Sequence, residues 1–155
     1  MISQNNLEKI KKEIQEFFGK MTFDVKIESS VQKEQTLSLN LEAEEPQILI
    51  GEGGETLIEI QHLLKIIIKR KLGKDEFFYL DLDINDYKKK KIAYLRELAR
   101  SLAEEVILTK KEKILPPMSS YERRIIHLEL AELANVITES IGQEPERRVV
   151  IKPSP

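Results

Sequence analysis

Arg123 and His127 stand four residues apart, a spacing that puts both on one face of a helix. Arginine offers a planar fork to a phosphate, and a histidine ring can donate a hydrogen bond or stack on a base. The plain alternative for such a pair is a solvated helix surface. Gly51-Glu52-Gly53-Gly54 is a second candidate. A Gly-x-x-Gly loop lets backbone N–H groups come close to a phosphate, and a following helix adds its positive end. The same glycines could instead serve a structural turn. Glu52 works against an anion, since like charges ~4 Å apart repel by about 1 kcal/mol even in water. Lys88, Lys89, Lys90 and Lys91 form a third candidate. Cations at a helix start oppose the helix dipole and cost a few tenths of a kcal/mol each. Stability explains them poorly; phosphate contact or a solvated charged face remains. Arg124, Lys110, Lys111, Lys113, Arg147 and Arg148 could enlarge the same basic surface, although the last two could also pair with Glu144 and Glu146.

Other chemistries have little to stand on. The 155 residues include no Cys and two His, which excludes disulfides and thiolate sites and makes a multi-histidine metal site improbable. Asp81 and Asp83 share a strand face, but no Ser or His partner is near them in sequence, and no P-loop or metal-ligand spacing occurs. We expect no catalytic residue, no metal and no cofactor. The 41% apolar and 34% charged composition suits a folded chain of one ordinary domain or two small ones. The net charge of −2 divides unevenly. Residues 1–86 carry 11 Lys/Arg against 17 Asp/Glu, and residues 87–155 carry 14 against 10, so a polyanion would sit on the later half. No apolar run approaches the ~20 residues of a membrane span, and the first residues do not read as a signal peptide. A soluble, cytoplasmic protein is expected.

Several elements must hold these groups in place. Leu7, Ile10, Ile14, Phe17 and Phe18 predict an amphipathic helix over 5–19. Phe23, Val25 and Ile27, then Leu37, Leu39 and Leu41, alternate like two strands of an antiparallel hairpin joined by a polar loop at 29–34. Pro46–Ile50 is a short helix leading into the glycine loop, and an apolar stripe from Leu57 to Leu72 predicts a helix stopped by Gly73. Phe77, Tyr79 or Leu80, Leu82 and Ile84 predict a third strand. Asp86 is the expected N-cap of a long helix over 87–109. Pro116-Pro117 breaks it, and Ser119 with Glu122 forms a capping box for a helix running to Leu133. Gly142–Pro145 is a turn before a closing strand at Val149–Ile151, and Pro153–Pro155 reads as a tail.

Ile50-Gly51-Glu52-Gly53-Gly54-Glu55-Thr56-Leu57 resembles the core of a KH domain, and the element order is that of the type II arrangement. That resemblance implies a loop gripping the backbone of unpaired nucleotides. Its departure is the acidic Glu52, where tight RNA binders usually have a basic residue. Pro117-Met118-Ser119-Ser120-Tyr121-Glu122-Arg123-Arg124-Ile125-Ile126-His127 is similar to the R-3-H domain, named for Arg-x-x-x-His, with Arg123 as the family arginine. The two in this order resemble the bacterial Jag family. The resemblance implies an α+β fold: a type II-like KH domain (1–85), then a small α/β R-3-H domain (86–152) joined through a long helix, then a tail (153–155). It implies a non-enzymatic partner of single-stranded RNA, or of DNA, linked to cell elongation, division or sporulation. The rival reading is an interaction module whose KH unit forms a homodimer, or a heterodimer with another small KH protein, in place of RNA binding.

Overall fold

In the computed structural model, which describes residues 2–73 and 78–155, Ser3 caps α1 (Gln4–Lys20) by accepting the Asn6 N–H at 3.3 Å. Ile10, Ile14 and Phe18 line its buried face. The chain returns as β1 (Val25–Lys33) and β2 (Thr36–Ala43), an antiparallel pair. The polar stretch 29–34, expected as a loop, is mostly strand. A bulge between Ile27 and Ser29 breaks the alternation, and the reversal is a tight one at Glu34-Gln35, with Glu34 at φ +54°.

A short helix α2 (Pro46–Ile50), a single 3-10 turn (Glu52–Gly54) and α3 (Glu55–Leu72) then cross over to β3 (Tyr79–Ile84). β3 lies parallel to β2, so Leu37, Leu39 and Leu41 sit beside Leu80, Leu82 and Ile84. All six are buried, along with Leu57, Leu64 and Ile68 of α3. Each such side chain contributes roughly 1.5–3 kcal/mol of burial. Phe77, expected in this strand, lies outside the described residues.

Asn85 and Asp86 both have positive φ (+51° and +56°) and turn the chain into α4 (Tyr87–Thr109). Asn85 locks the turn by accepting the Ala43 N–H (2.9 Å) and donating to the Ala43 carbonyl (3.0 Å). Asp86 is not the cap that was expected. Asp83, at the end of β3, takes that role: its two carboxylate oxygens each lie 3.2 Å from the Lys88 N–H. The left-handed turn swings Asp83, not Asp86, under the first turn of the helix.

The chain divides into two compact units, one ending at Lys88 and one comprising Lys89–Pro155, three residues later than the expected boundary. In the second unit α4 buries Leu95, Ala99, Ala103 and Val106 against Leu115, Ile126, Leu130, Val136, Val149 and Ile151. Its sheet has the order β4 (Lys113–Ile114), β6 (Arg148–Pro153), β5 (Val136–Ile141), all antiparallel. α5 (Ser120–Leu130) packs on that sheet and is shorter than the helix expected to reach Leu133. The supposed tail is tied down: Pro153 ends β6, and the Ser154 N–H donates to the Asn135 carbonyl at 3.0 Å. The fold is α+β, and no helix among the described residues is long and apolar enough to cross a membrane.

Candidate nucleic-acid interface

Ser119 and Glu122 start α5 with a full capping box. The Ser119 hydroxyl accepts the Glu122 N–H (3.3 Å), and a Glu122 carboxylate oxygen accepts the Ser119 N–H (2.8 Å). The other Glu122 oxygen takes the Lys91 ammonium at 3.2 Å. Burial pushes the Glu122 carboxyl up, but the Ser119 and Lys91 hydrogen bonds together outweigh it and hold the group below its usual range. Glu129 takes both Arg96 and Arg100 from α4. α5 is thus stitched to α4 along one flank.

The other flank carries the Arg-x-x-x-His pair. Arg123 is buried, its side chain 8% exposed. Its Nη1 donates to the Met118 carbonyl (2.6 Å) and its Nη2 to a Glu144 carboxylate oxygen (2.7 Å). This corrects the expectation of a fork held open for phosphate: the fork is engaged within the protein, because a buried guanidinium needs partners. His127 is half-buried, with Nδ1 2.7 Å from the Thr138 hydroxyl and Nε2 2.7 Å from the Ser140 hydroxyl. Thr138 and Ser140 alternate along β5, so both hydroxyls face α5. Burial, and then the nearby Arg123 charge, push the imidazole below its ordinary value of 6.5, so it is neutral at pH 7. A neutral ring with one donor and one acceptor fits between two hydroxyls, each of which can donate or accept.

The lysine run separates into two kinds. Lys88 pairs with Asp81 (2.5 Å) and also donates to Gln61 (3.3 Å), and Lys91 pairs with Glu122. Both therefore have a structural reason that the sequence pattern did not suggest. Lys89 and Lys90 are exposed, with no acidic partner among the described residues. Arg124, Lys110, Lys111 and Arg147 are likewise exposed and unpaired, whereas Lys113 pairs with Glu105 and Arg148 with Glu146. Glu144 is taken by Arg123 instead.

In the first unit, Gly51 and Gly54 have positive φ (+73° and +89°). A Cβ on Gly51 would lie 2.1 Å from the Thr56 hydroxyl oxygen, and one on Gly54 would lie 2.9 Å from the Tyr87 ring. Both glycines are required by the turn itself. Gly53, at φ +59°, meets nothing within 4 Å, and Glu52 is exposed. The loop is thus open at Glu52 and Gly53 and closed behind at Gly54. Among the described residues no cluster of three or more His, Cys, Asp or Glu is placed to hold a metal ion.

Sequence reasoning missed the exposed aromatics. Tyr121 is 62% and Tyr94 60% exposed, and neither has a hydrogen-bonding or ring partner among the described residues. A tyrosine one turn from an unpaired cation, as in Tyr121 and Arg124, was the available signal.

Residues 93–153 match the family profile of the R-3-H domain, and the second unit is an R-3-H domain. The chain is 34% identical over 131 residues to a protein named RNA-binding protein KhpB in Clostridium symbiosum, covering 84% of this chain and 58% of that protein. Proteins of the same name match in Lactiplantibacillus plantarum (39% identity, 74% of this chain, 35% of that protein) and Bacillus subtilis (34%, 83% and 60%). The chain is thus similar to Jag-family proteins, and it spans about a third to three fifths of their length.

Proposed function

We propose that this chain is a non-enzymatic RNA-binding protein of the bacterial cytoplasm that takes single-stranded RNA on its second unit. The observation that carries the reading is the R-3-H match over a unit whose exposed Lys89, Lys90, Lys110, Lys111, Arg124 and Arg147 have no acidic partners among the described residues. Unpaired surface cations attract polyanions and release counterions on binding. The name that the relatives carry, RNA-binding protein, agrees with it. In this reading the first unit is a KH domain whose open loop at Glu52 and Gly53 adds a weaker backbone contact. Arg123 and His127 act at one remove, by fixing α5 to β5 and to the 142–147 turn.

The test is a fluorescence-anisotropy titration of a labelled single-stranded RNA with the full chain at several salt concentrations. Binding should weaken steeply with salt, with a slope of about −0.7 per neutralised phosphate. An RNA that shows no titratable binding even at low salt would end this reading.

A further inference from the structure

We infer that the outer faces of α5 and α4 form a base-stacking platform in which Tyr121 and Tyr94 receive unpaired bases while Arg124 and Lys90 hold the adjoining phosphates. This rests on the RNA-binding reading above and assigns its contact residues.

Along α5, Tyr121, Arg124 and Leu128 recur at spacings of three and four and so share one face. That face points away from both packed flanks: Tyr121 is 62% and Leu128 65% exposed, and Arg124 is exposed without an ion pair. Along α4, Lys90 and Tyr94 are four apart, both exposed, and Lys90 is also unpaired. Each helix thus repeats one arrangement, a cation one turn from an open phenol ring. The Lys91–Glu122 ion pair (3.2 Å) joins the two arrangements. Lys90 and Tyr121 are the sequence neighbours of its two partners, and Tyr94 lies one turn after Lys91 on α4.

The platform is held rigid from beneath. Glu122 is fixed by the capping box and by Lys91, and Arg123 and His127 bind the opposite flank of α5 to Met118, Glu144, Thr138 and Ser140. A ring presented on a fixed helix loses little freedom when a base stacks on it. Every nucleobase has a π-face, so such stacking tolerates sequence while the cations follow the backbone. Exposed Glu97 lies one turn after Tyr94 on α4, and exposed Glu132 follows the end of α5. Charge selects the occupant: open aromatic rings beside unpaired cations complement an unpaired polynucleotide rather than an acid-flanked apolar protein face.

The experiment titrates the full-length chain against a labelled uridine 12-mer by anisotropy, comparing wild type with Tyr121→Ala, Tyr94→Ala, Tyr121→Phe, Tyr94→Phe and Arg124→Gln. Each alanine variant should lose affinity roughly 5- to 100-fold. Each phenylalanine variant keeps its ring and should stay within about twofold. Arg124→Gln should reduce the salt slope by about 0.7. Because the chain has four Tyr and no Trp, quenching of tyrosine emission on binding gives an independent readout, which should shrink in the Phe variants. Wild-type binding with alanine variants as tight as wild type overturns the platform and leaves the RNA-binding reading standing. No wild-type binding at low salt overturns both.

Discussion

Replacing Arg123 by alanine separates a structural guanidinium from a phosphate-gripping one. The side chain is 8% exposed and spans from the Met118 carbonyl to Glu144. Loss of the charge-assisted bond to Met118 costs about 1.5–3 kcal/mol. The Glu144 side chain is 58% exposed, so that pair is largely screened and adds only about 0–1 kcal/mol. The buried aliphatic stem adds roughly another 1 kcal/mol. The sum is about 2.5–5 kcal/mol, mostly from the Met118 side. Thermal unfolding of the full chain, followed by circular dichroism, should show the second unit's transition fall by roughly 10–40 °C. Hydrogen exchange should show faster exchange at the start of α5. Glu144→Gln should cost less than about 1 kcal/mol, since water can replace the carboxylate. If Arg123→Ala melts within about 1 °C of wild type while RNA affinity drops tenfold or more, Arg123 leaves Glu144 for a phosphate and the structural assignment is wrong.

Three further outcomes are expected. His127 has its pKa lowered in the folded state, so the unfolded chain binds more protons just below the ordinary value of 6.5. Its contribution is therefore complete above pH 6.5 and declines as pH falls; denaturation from pH 7.5 to 5 should show a stability loss that His127→Gln reduces, and identical slopes would contradict this. Gly54→Ala combines a left-handed φ with a Cβ 2.9 Å from the Tyr87 ring and should destabilise by about 2–4 kcal/mol, whereas Gly53→Ala meets only the backbone penalty of about 1–2 kcal/mol. Urea denaturation that ranks them the other way would refute that description of the loop. Glu52→Lys replaces an exposed anion at the open part of the loop and should tighten RNA binding a fewfold without changing the melt; unchanged affinity would mean the loop does not meet the RNA.

Much of the fold could be read directly because its cues are local. Ile10, Ile14 and Phe18 announce α1, and Ser119 with Glu122 announces the start of α5 to the residue. The misreadings share a different physical origin: they depend on residues far apart in the chain. The 29–34 stretch is strand because β2 pairs with it through a bulge, and its own residues do not alternate. β4 is two residues long and exists only through pairing with β6. Asp83 caps α4 because two left-handed residues follow it, which no spacing rule announces. The same holds at the site. Arg123 and His127 were visible as a pair, but the partner Glu144 that engages Arg123 lies 21 residues later. The spacing of Tyr121 and Arg124 could be read in the sequence, but that this face is open shows only once the sheet has claimed the opposite side of α5.

The most direct measurement is ultraviolet crosslinking of the full chain to single-stranded RNA, with the crosslinked peptides identified by mass spectrometry. Crosslinks should concentrate in residues 89–96 and 119–128, at Tyr94 and Tyr121 above all, and fade as salt is raised. Crosslinks confined to the first unit, or none above a bovine albumin control, would contradict RNA binding by the R-3-H unit.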